Sequence, residues 1–132
     1  MQLWYHGTTN DNANKIKEMG FIIDPNNYIF NTFGSGVYFT DDKQTAQTFG
    51  ETIITTTINI KNPLTLTYLE FINLGIPYRK ENHHVNITNW MKERGHYCLL
   101  IKKEEEQEQD ILVVYDIKLI NIIDIEYIEW EF

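Results

Sequence analysis

The stretch FGSGVYFTDD, residues 33–42, determines the predicted fold at the centre of this chain. Aromatic and β-branched residues follow its second glycine and predict a β-strand over residues 35–40. Two aspartates end the stretch, and either is a suitable N-cap for a short helix over residues 43–49. Gly34 and Gly36 are unusual in a plain core strand, because glycine weakens a strand and often marks a close backbone approach. The stretch therefore predicts a strand that borders a ligand site.

Capping signals and hydrophobic periodicity predict short strands and helices along the rest of the chain. Strands are predicted over residues 2–6, 52–60 and 97–101, with one or two more after residue 110. Helices are predicted to begin at Thr9 or Asn10, at Thr67 and near Ile87, and solvated loops to cover residues 76–84 and 102–110. The order is roughly β-α-β-α-β-α-α-β-β-β. It predicts one α+β domain over residues 1–132, with curved, mostly antiparallel β-sheets and short packed helices.

Composition limits the classes of function. The chain of 132 residues has a formal net charge of −8, which argues against nucleic-acid binding because phosphate neutralisation needs clustered Lys and Arg. Cys98 is the single cysteine, so the chain has no disulfide framework or Cys/His zinc spacing, and we expect no bound metal. Its first residues lack the features of a signal peptide, and no run of about 18 apolar residues exists. We expect a cytoplasmic protein that does not associate with a membrane.

The first motif in chain order, YHGTT at residues 5–9, places a histidine and a glycine directly after the first predicted strand, and FGSGVYFTDD is the second motif. The glycine would let a ligand amide approach the backbone. YHGTT, FGSGVYFTDD and the AQTF of residues 46–49 together resemble the PARP-like, diphtheria-toxin-type ADP-ribosyltransferases, and they are similar to small bacterial and phage members. INIKNPLTL at residues 58–66 and DILVVYDIKLINI at residues 110–122 extend the resemblance over most of the chain. It implies an ADP-ribosyltransferase-like fold with a split β core.

The resemblance also implies that NAD is a co-substrate and assigns roles to the first motif. His6 would be the first residue of the family's His-Tyr-acid triad and would hydrogen-bond a hydroxyl of the adenine-side ribose. Gly7 would hold the nicotinamide carboxamide through its backbone, and Thr8 would lie near the adenosine end of NAD.

The resemblance assigns the nicotinamide to the second motif. Tyr38 would be the triad tyrosine, and Phe49 would be the second aromatic residue that stacks on the nicotinamide. Two rings can attract this flat cation by stacking and cation–π interaction, at about 0.5–2 kcal/mol for each ring. Gly36, like Gly34, would keep the start of the strand bare beside the dinucleotide. Ala46 stands where many members have a serine, so that hydrogen bond to the carboxamide is missing.

The third member of the triad departs from the family pattern. The family places its acid four residues before the aromatic residue of the late strand, here Tyr115, and that position holds Ile111. Asp110 is adjacent, and a β-bulge at the start of the strand would bring it into line. Glu108 is the next candidate, and residues 104–106 become candidates if their loop folds over the cleft. Alternatively, the whole charged run is a solvated hairpin tip, as charge runs usually are.

The resemblance implies an NAD-dependent mono-ADP-ribosyltransferase that transfers ADP-ribose to a macromolecular acceptor, a protein in the first instance, and releases nicotinamide. The family context implies an effector, toxin or anti-defence protein. Two alternatives remain, an NAD glycohydrolase and a catalytically weak module that binds NAD or ADP-ribose. An RNA 2′-phosphotransferase of related fold is disfavoured, because it would need several basic residues and Arg79 and Arg94 are the only arginines.

Overall fold

The computed structural model describes residues 1–23, 32–77, 83–104 and 109–127. These residues form seven strands, four α-helices and a 3-10 helix at Ile117–Leu119. The strands are β1 Trp4–Thr8, β2 Val37–Thr40, β3 Thr52–Ile58, β4 Leu64–Leu66, β5 Cys98–Ile101, β6 Ile111–Val114 and β7 Ile120–Glu126. The helices are α1 Asn10–Met19, α2 Lys43–Ala46, α3 Tyr68–Ile72 and α4 His83–Glu93. The predicted order of elements is confirmed, with β4 as an additional strand.

All seven strands join one open sheet in the order β4-β5-β6-β2-β1-β3-β7. Neighbouring strands are antiparallel except for β4 and β5, which run parallel. The predicted α+β class with a mostly antiparallel arrangement is therefore confirmed. The expectation of more than one sheet is corrected, because a single pairing between β1 and β2 connects the two halves.

That central connection is narrow. Strand β1 pairs with β3 over all five of its residues, and β2 pairs with β6 over all four of its residues. Between β1 and β2, by contrast, only Tyr5 and Thr40 are paired. Because antiparallel strands normally continue pairing on both sides of such a contact, β1 and β2 diverge after this point. The sheet therefore opens at its centre, between two well-paired halves.

Apolar clusters cover both faces of the sheet, because successive side chains of a strand point to opposite faces. On one face, Phe39 and Leu112 pack with Ala13 of α1. On the other face, Val113 packs with Ile87 of α4, and Met91 of the same helix is fully buried there. The sheet thus lies between α1 and α4, and the packing of these helices holds the strands that border the central opening in place.

Local capping signals determine where the helices begin. Thr9 caps α1 by accepting a hydrogen bond from the backbone of Asn12, and Gly20 ends that helix. Thr67 and Glu70 form the reciprocal capping box predicted for α3. No helix among the described residues is long and apolar enough to cross a bilayer.

Three elements of the structure differ from those predicted. Strand β4 was not predicted, since its three residues are a strand only through parallel pairing with β5. Helix α2 ends at Ala46 instead of residue 49, and turns follow it. Helix α4 begins at His83 within the predicted loop; His84 is buried, and its carbonyl accepts a hydrogen bond from the backbone N–H of Ser35.

Candidate functional site

A cavity of about 790 Å³ lies where β1 and β2 diverge. Its wall is built from β1, β2, the α2 region, the start of α3 and the residues between β5 and β6. The volume falls within the range of about 300–1,000 Å³ typical of small-molecule sites. Much of the lining is aromatic, from Tyr5, Phe33, Tyr38, Phe39, Phe49 and Tyr68. The cavity is therefore suited to a ligand with a flat ring.

His6 lines the cavity and bridges the gap between the diverging strands. Its Nδ1 atom lies 2.8 Å from the backbone carbonyl oxygen of Tyr38. Since a carbonyl oxygen only accepts, Nδ1 carries a proton, and Nε2 of the neutral ring is an acceptor. Burial lowers the pKa of His6 below its ordinary value, and the hydrogen bond to Tyr38 only partly opposes this effect. His6 is therefore neutral at pH 7 and suited to accept a hydrogen bond from a ligand hydroxyl.

The side chain of Tyr38 contacts both the cavity and the preceding loop. Its ring lines the cavity. Its hydroxyl donates to the carbonyl oxygen of Gly34 at 2.7 Å and accepts from the backbone N–H of Phe33 at 2.9 Å. Burial raises the pKa of this hydroxyl well above its ordinary value, so it stays protonated at physiological pH. The ring is therefore the part of Tyr38 available to a ligand, while the hydroxyl holds the loop.

Gly7 and Thr8 of the first motif line the same cavity. Gly7 and Thr8 lie on its wall with Ala46, and Phe49 lies there with 58% of its surface exposed. A Cβ atom on Gly7 would be 1.8 Å from the carbonyl oxygen of Ala46 and 2.8 Å from that of Gly50. The α2 backbone thus requires glycine at position 7 whether or not a ligand is bound. The predicted contact of Gly7 with a carboxamide remains a prediction.

Gly34 and Gly36 do not line the cavity, in contrast to their predicted place beside a dinucleotide. A Cβ atom on Gly36 would lie 2.8 Å from the carbonyl oxygen of Val114, so β6 requires glycine there. Gly34 has a positive φ of 101°, and a Cβ atom on it would lie 2.9 Å from Oγ1 of Thr88 in α4. Both glycines therefore allow the strand to pack closely within the protein.

The carboxylate predicted as the catalytic acid also lies elsewhere. Asp110 is 6% exposed and is not on the cavity wall. Its Oδ2 atom accepts a hydrogen bond from Nζ of Lys102 at 2.8 Å, and its Oδ1 atom accepts one from the backbone N–H of Lys103 at 2.9 Å. The charged run is thus not a wholly solvated tip. Glu108 lies outside the described residues, and Glu104 is on the cavity wall.

Several residues of the cavity were missed by sequence reasoning. Lys102 and Lys103 were assigned to a solvated charge run, and Phe33 and Tyr68 were given no role. The available signal was two adjacent lysines directly after a buried strand in an acidic chain. Tyr68 follows the cap of α3 and was therefore assigned to a helix alone. The described residues contain no group of three or more His, Cys, Asp or Glu side chains that could hold a metal ion.

Neither the protein-family models nor the curated proteins include a match to this chain. The cavity itself therefore indicates the class of ligand. It combines aromatic rings, a neutral histidine that can accept a hydrogen bond, and lysine side chains. Such a lining suits a small molecule with a flat ring, hydroxyl groups and a negative charge.

Proposed function

We propose that this protein is an NAD-dependent mono-ADP-ribosyltransferase of the PARP-like class, with the split β core of that fold. One observation carries the proposal. His6, Gly7, Thr8, Tyr38 and Phe49 come from three separate segments of the chain, and all of them line one cavity where the sheet opens. The resemblance assigns all five to NAD, whereas Gly36, which it also places beside the dinucleotide, does not line the cavity.

The chemistry of NAD cleavage fits this lining. The nicotinamide ring of NAD is a flat cation, and the rings of Tyr38 and Phe49 offer it π faces. Cleavage of the bond between C1 of the ribose and the nicotinamide nitrogen returns the electron pair to that nitrogen. The sugar then resembles an oxocarbenium ion, as in glycoside hydrolysis. The acceptor's nucleophile forms the new bond to the same carbon.

A carboxylate near the sugar would stabilise its positive charge. Glu104 lies on the cavity wall and is a candidate for this role by its position. Asp110 is less suited, because both of its oxygens are engaged by Lys102 and Lys103. This engagement, together with Ile111 on the wall, favours a second candidate function: a module that binds NAD or ADP-ribose and turns NAD over weakly.

The proposal is tested with two aromatic variants. Phe49→Ala removes an exposed ring from the cavity, and Tyr97→Ala removes one that is 42% exposed and does not line the cavity. We expect Phe49→Ala to weaken NAD binding about tenfold, as the loss of one cation–π contact of about 1.4 kcal/mol implies. Tyr97→Ala should bind like the wild type. Calorimetry measures the affinities, and absence of NAD binding to the wild type would refute the proposal.

The fate of labelled NAD separates the candidate activities. Transfer of label to a protein, with nicotinamide release, identifies a transferase. Free ADP-ribose without a labelled macromolecule identifies an NAD glycohydrolase instead. Binding without nicotinamide release identifies the binding module. We further propose that the acceptor is a protein in the cytoplasm of the producing or infected cell, and that the chain acts there as an effector, toxin or anti-defence protein.

A further inference from the structure

The cavity wall has a lysine segment, Lys102 and Lys103, that the proposed function leaves unassigned. Lys102 and Lys103 follow β5 directly and both line the wall, next to the apolar side chain of Ile101. The chain as a whole carries a formal net charge of −8, so two adjacent lysines on a cavity wall run against its overall charge. Lysine at such a place can bind an anionic group as a point charge.

A buried carboxylate holds this segment in position. Asp110 engages the Lys102 side chain and the Lys103 backbone at the same time. Burial raises the pKa of the Asp110 carboxyl, but the two hydrogen bonds and the charges of both lysines outweigh this effect, so the pKa is below its ordinary value. The aspartate is therefore ionised at neutral pH and stabilises this backbone conformation.

The other side of the segment is fixed by the sheet. The backbone N–H of Lys102 donates to the carbonyl oxygen of Leu66, at the end of β4, at 2.8 Å. Helix α3 begins two residues after Leu66, and its first residue, Tyr68, also lines the cavity. An aromatic ring and the lysine segment are thus held together by short connections. Both therefore belong to one wall, where the two parts of a nucleoside phosphate could contact them.

The charges also separate the roles of the two lysines. Lys102 is neutralised by its ion pair with Asp110. Lys103 forms no ion pair within the described part of the chain, although its charge favours the ionised forms of the nearby Asp41 and Asp110 carboxyls, as a lowering effect on the pKa of each. Glu104 lies on the same wall and limits the local positive charge. A small phosphate-bearing molecule therefore suits this wall better than a polyanion such as nucleic acid, which the overall negative charge would repel.

We propose that Lys103, positioned by Asp110, forms a phosphate-binding subsite of this cavity. The subsite follows from the cavity wall alone and adds a ligand contact to the proposed function. Two sources of the phosphate are compatible with the geometry. One is the pyrophosphate of a dinucleotide such as NAD, and the other is a phosphate group on the acceptor.

Inorganic pyrophosphate is the probe, and calorimetry measures its affinity. Lys103→Ala removes the proposed phosphate contact, and Lys103→Arg tests whether another positively charged side chain restores pyrophosphate binding. Lys118→Ala is the matched control, because it removes the same charge from an exposed residue that does not line the cavity. We expect Lys103→Ala to bind pyrophosphate about tenfold more weakly, as the loss of one charge-assisted hydrogen bond implies. Lys103→Arg and Lys118→Ala should bind it like the wild type.

Competition identifies the source of the phosphate. If pyrophosphate and NAD exclude one another, the subsite holds the dinucleotide; if both bind together, it serves the acceptor. The subsite is refuted if the wild type does not bind pyrophosphate, or if Lys103→Ala binds it as tightly as the wild type. Failure of the proposed function looks different, because NAD and nicotinamide then fail to bind while pyrophosphate binding still depends on Lys103.

Discussion

Replacing Tyr38 by phenylalanine separates the two roles of this side chain. The substitution keeps the ring on the cavity wall and removes the hydroxyl that bonds Phe33 and Gly34. Each lost hydrogen bond costs about 0.5–1.5 kcal/mol, and a partner left buried and unpaired costs more. Both partners belong to buried residues, so we expect the free energy of unfolding to fall by about 2–3 kcal/mol. For a domain of this size, that lowers Tm by about 8–12 °C.

Tyr115→Phe is the matched control for this change. The Tyr115 hydroxyl donates to the carbonyl oxygen of Phe33 at 2.5 Å, so its loss loosens the same loop, yet Tyr115 does not line the cavity. We expect a loss of about 1–2 kcal/mol for this single bond. Urea and thermal unfolding measure both variants.

Nicotinamide binding completes the comparison. Tyr38→Phe and Tyr115→Phe should both retain it, since the cavity ring is unchanged. Tyr38→Ala should weaken it and also lose stability, because it removes the ring and both hydrogen bonds of the hydroxyl. The reasoning is refuted if Tyr38→Phe is as stable as the wild type. It also fails if Tyr38→Phe loses nicotinamide binding while Tyr115→Phe keeps it, because the hydroxyl would then contact the ligand.

Three further predictions concern single sites. The pKa of His6 lies below 6.5 in the folded protein, so unfolding takes up a proton as pH falls below 6.5, and the free energy of unfolding decreases there. Urea titrations at pH 7 and pH 5 should show a smaller decrease for His6→Asn than for the wild type. Gly7→Ala should lose about 3 kcal/mol or more, because the new Cβ meets the backbone oxygen of Ala46; an unchanged urea midpoint would contradict this packing. Thr67→Ala removes one side of the capping box with Glu70 and should cost about 1 kcal/mol in the same assay, whereas no loss would show that the cap is dispensable.

The order of elements could be predicted because its signals are local. The caps at Thr9 and Thr67 are encoded within three or four residues, and so is the glycine that ends α1. The predicted aromatic residues, Tyr38 and Phe49, also lie on one cavity wall. The four residues of α2 and a short turn connect the end of β2 to Phe49, so sequence separation was a sufficient guide to this part of the site.

The sequence by itself therefore determined the α+β class and the helix caps. Only the tertiary structure decided that Asp110 bonds the Lys102–Lys103 segment, that Lys103 lines the cavity and that Gly36 packs on β6. The physical reason is that β2 pairs with β6, a strand that follows about seventy residues later in the chain. Spacing along the chain sets local geometry, but the pairing of distant strands decides which side chains share a wall.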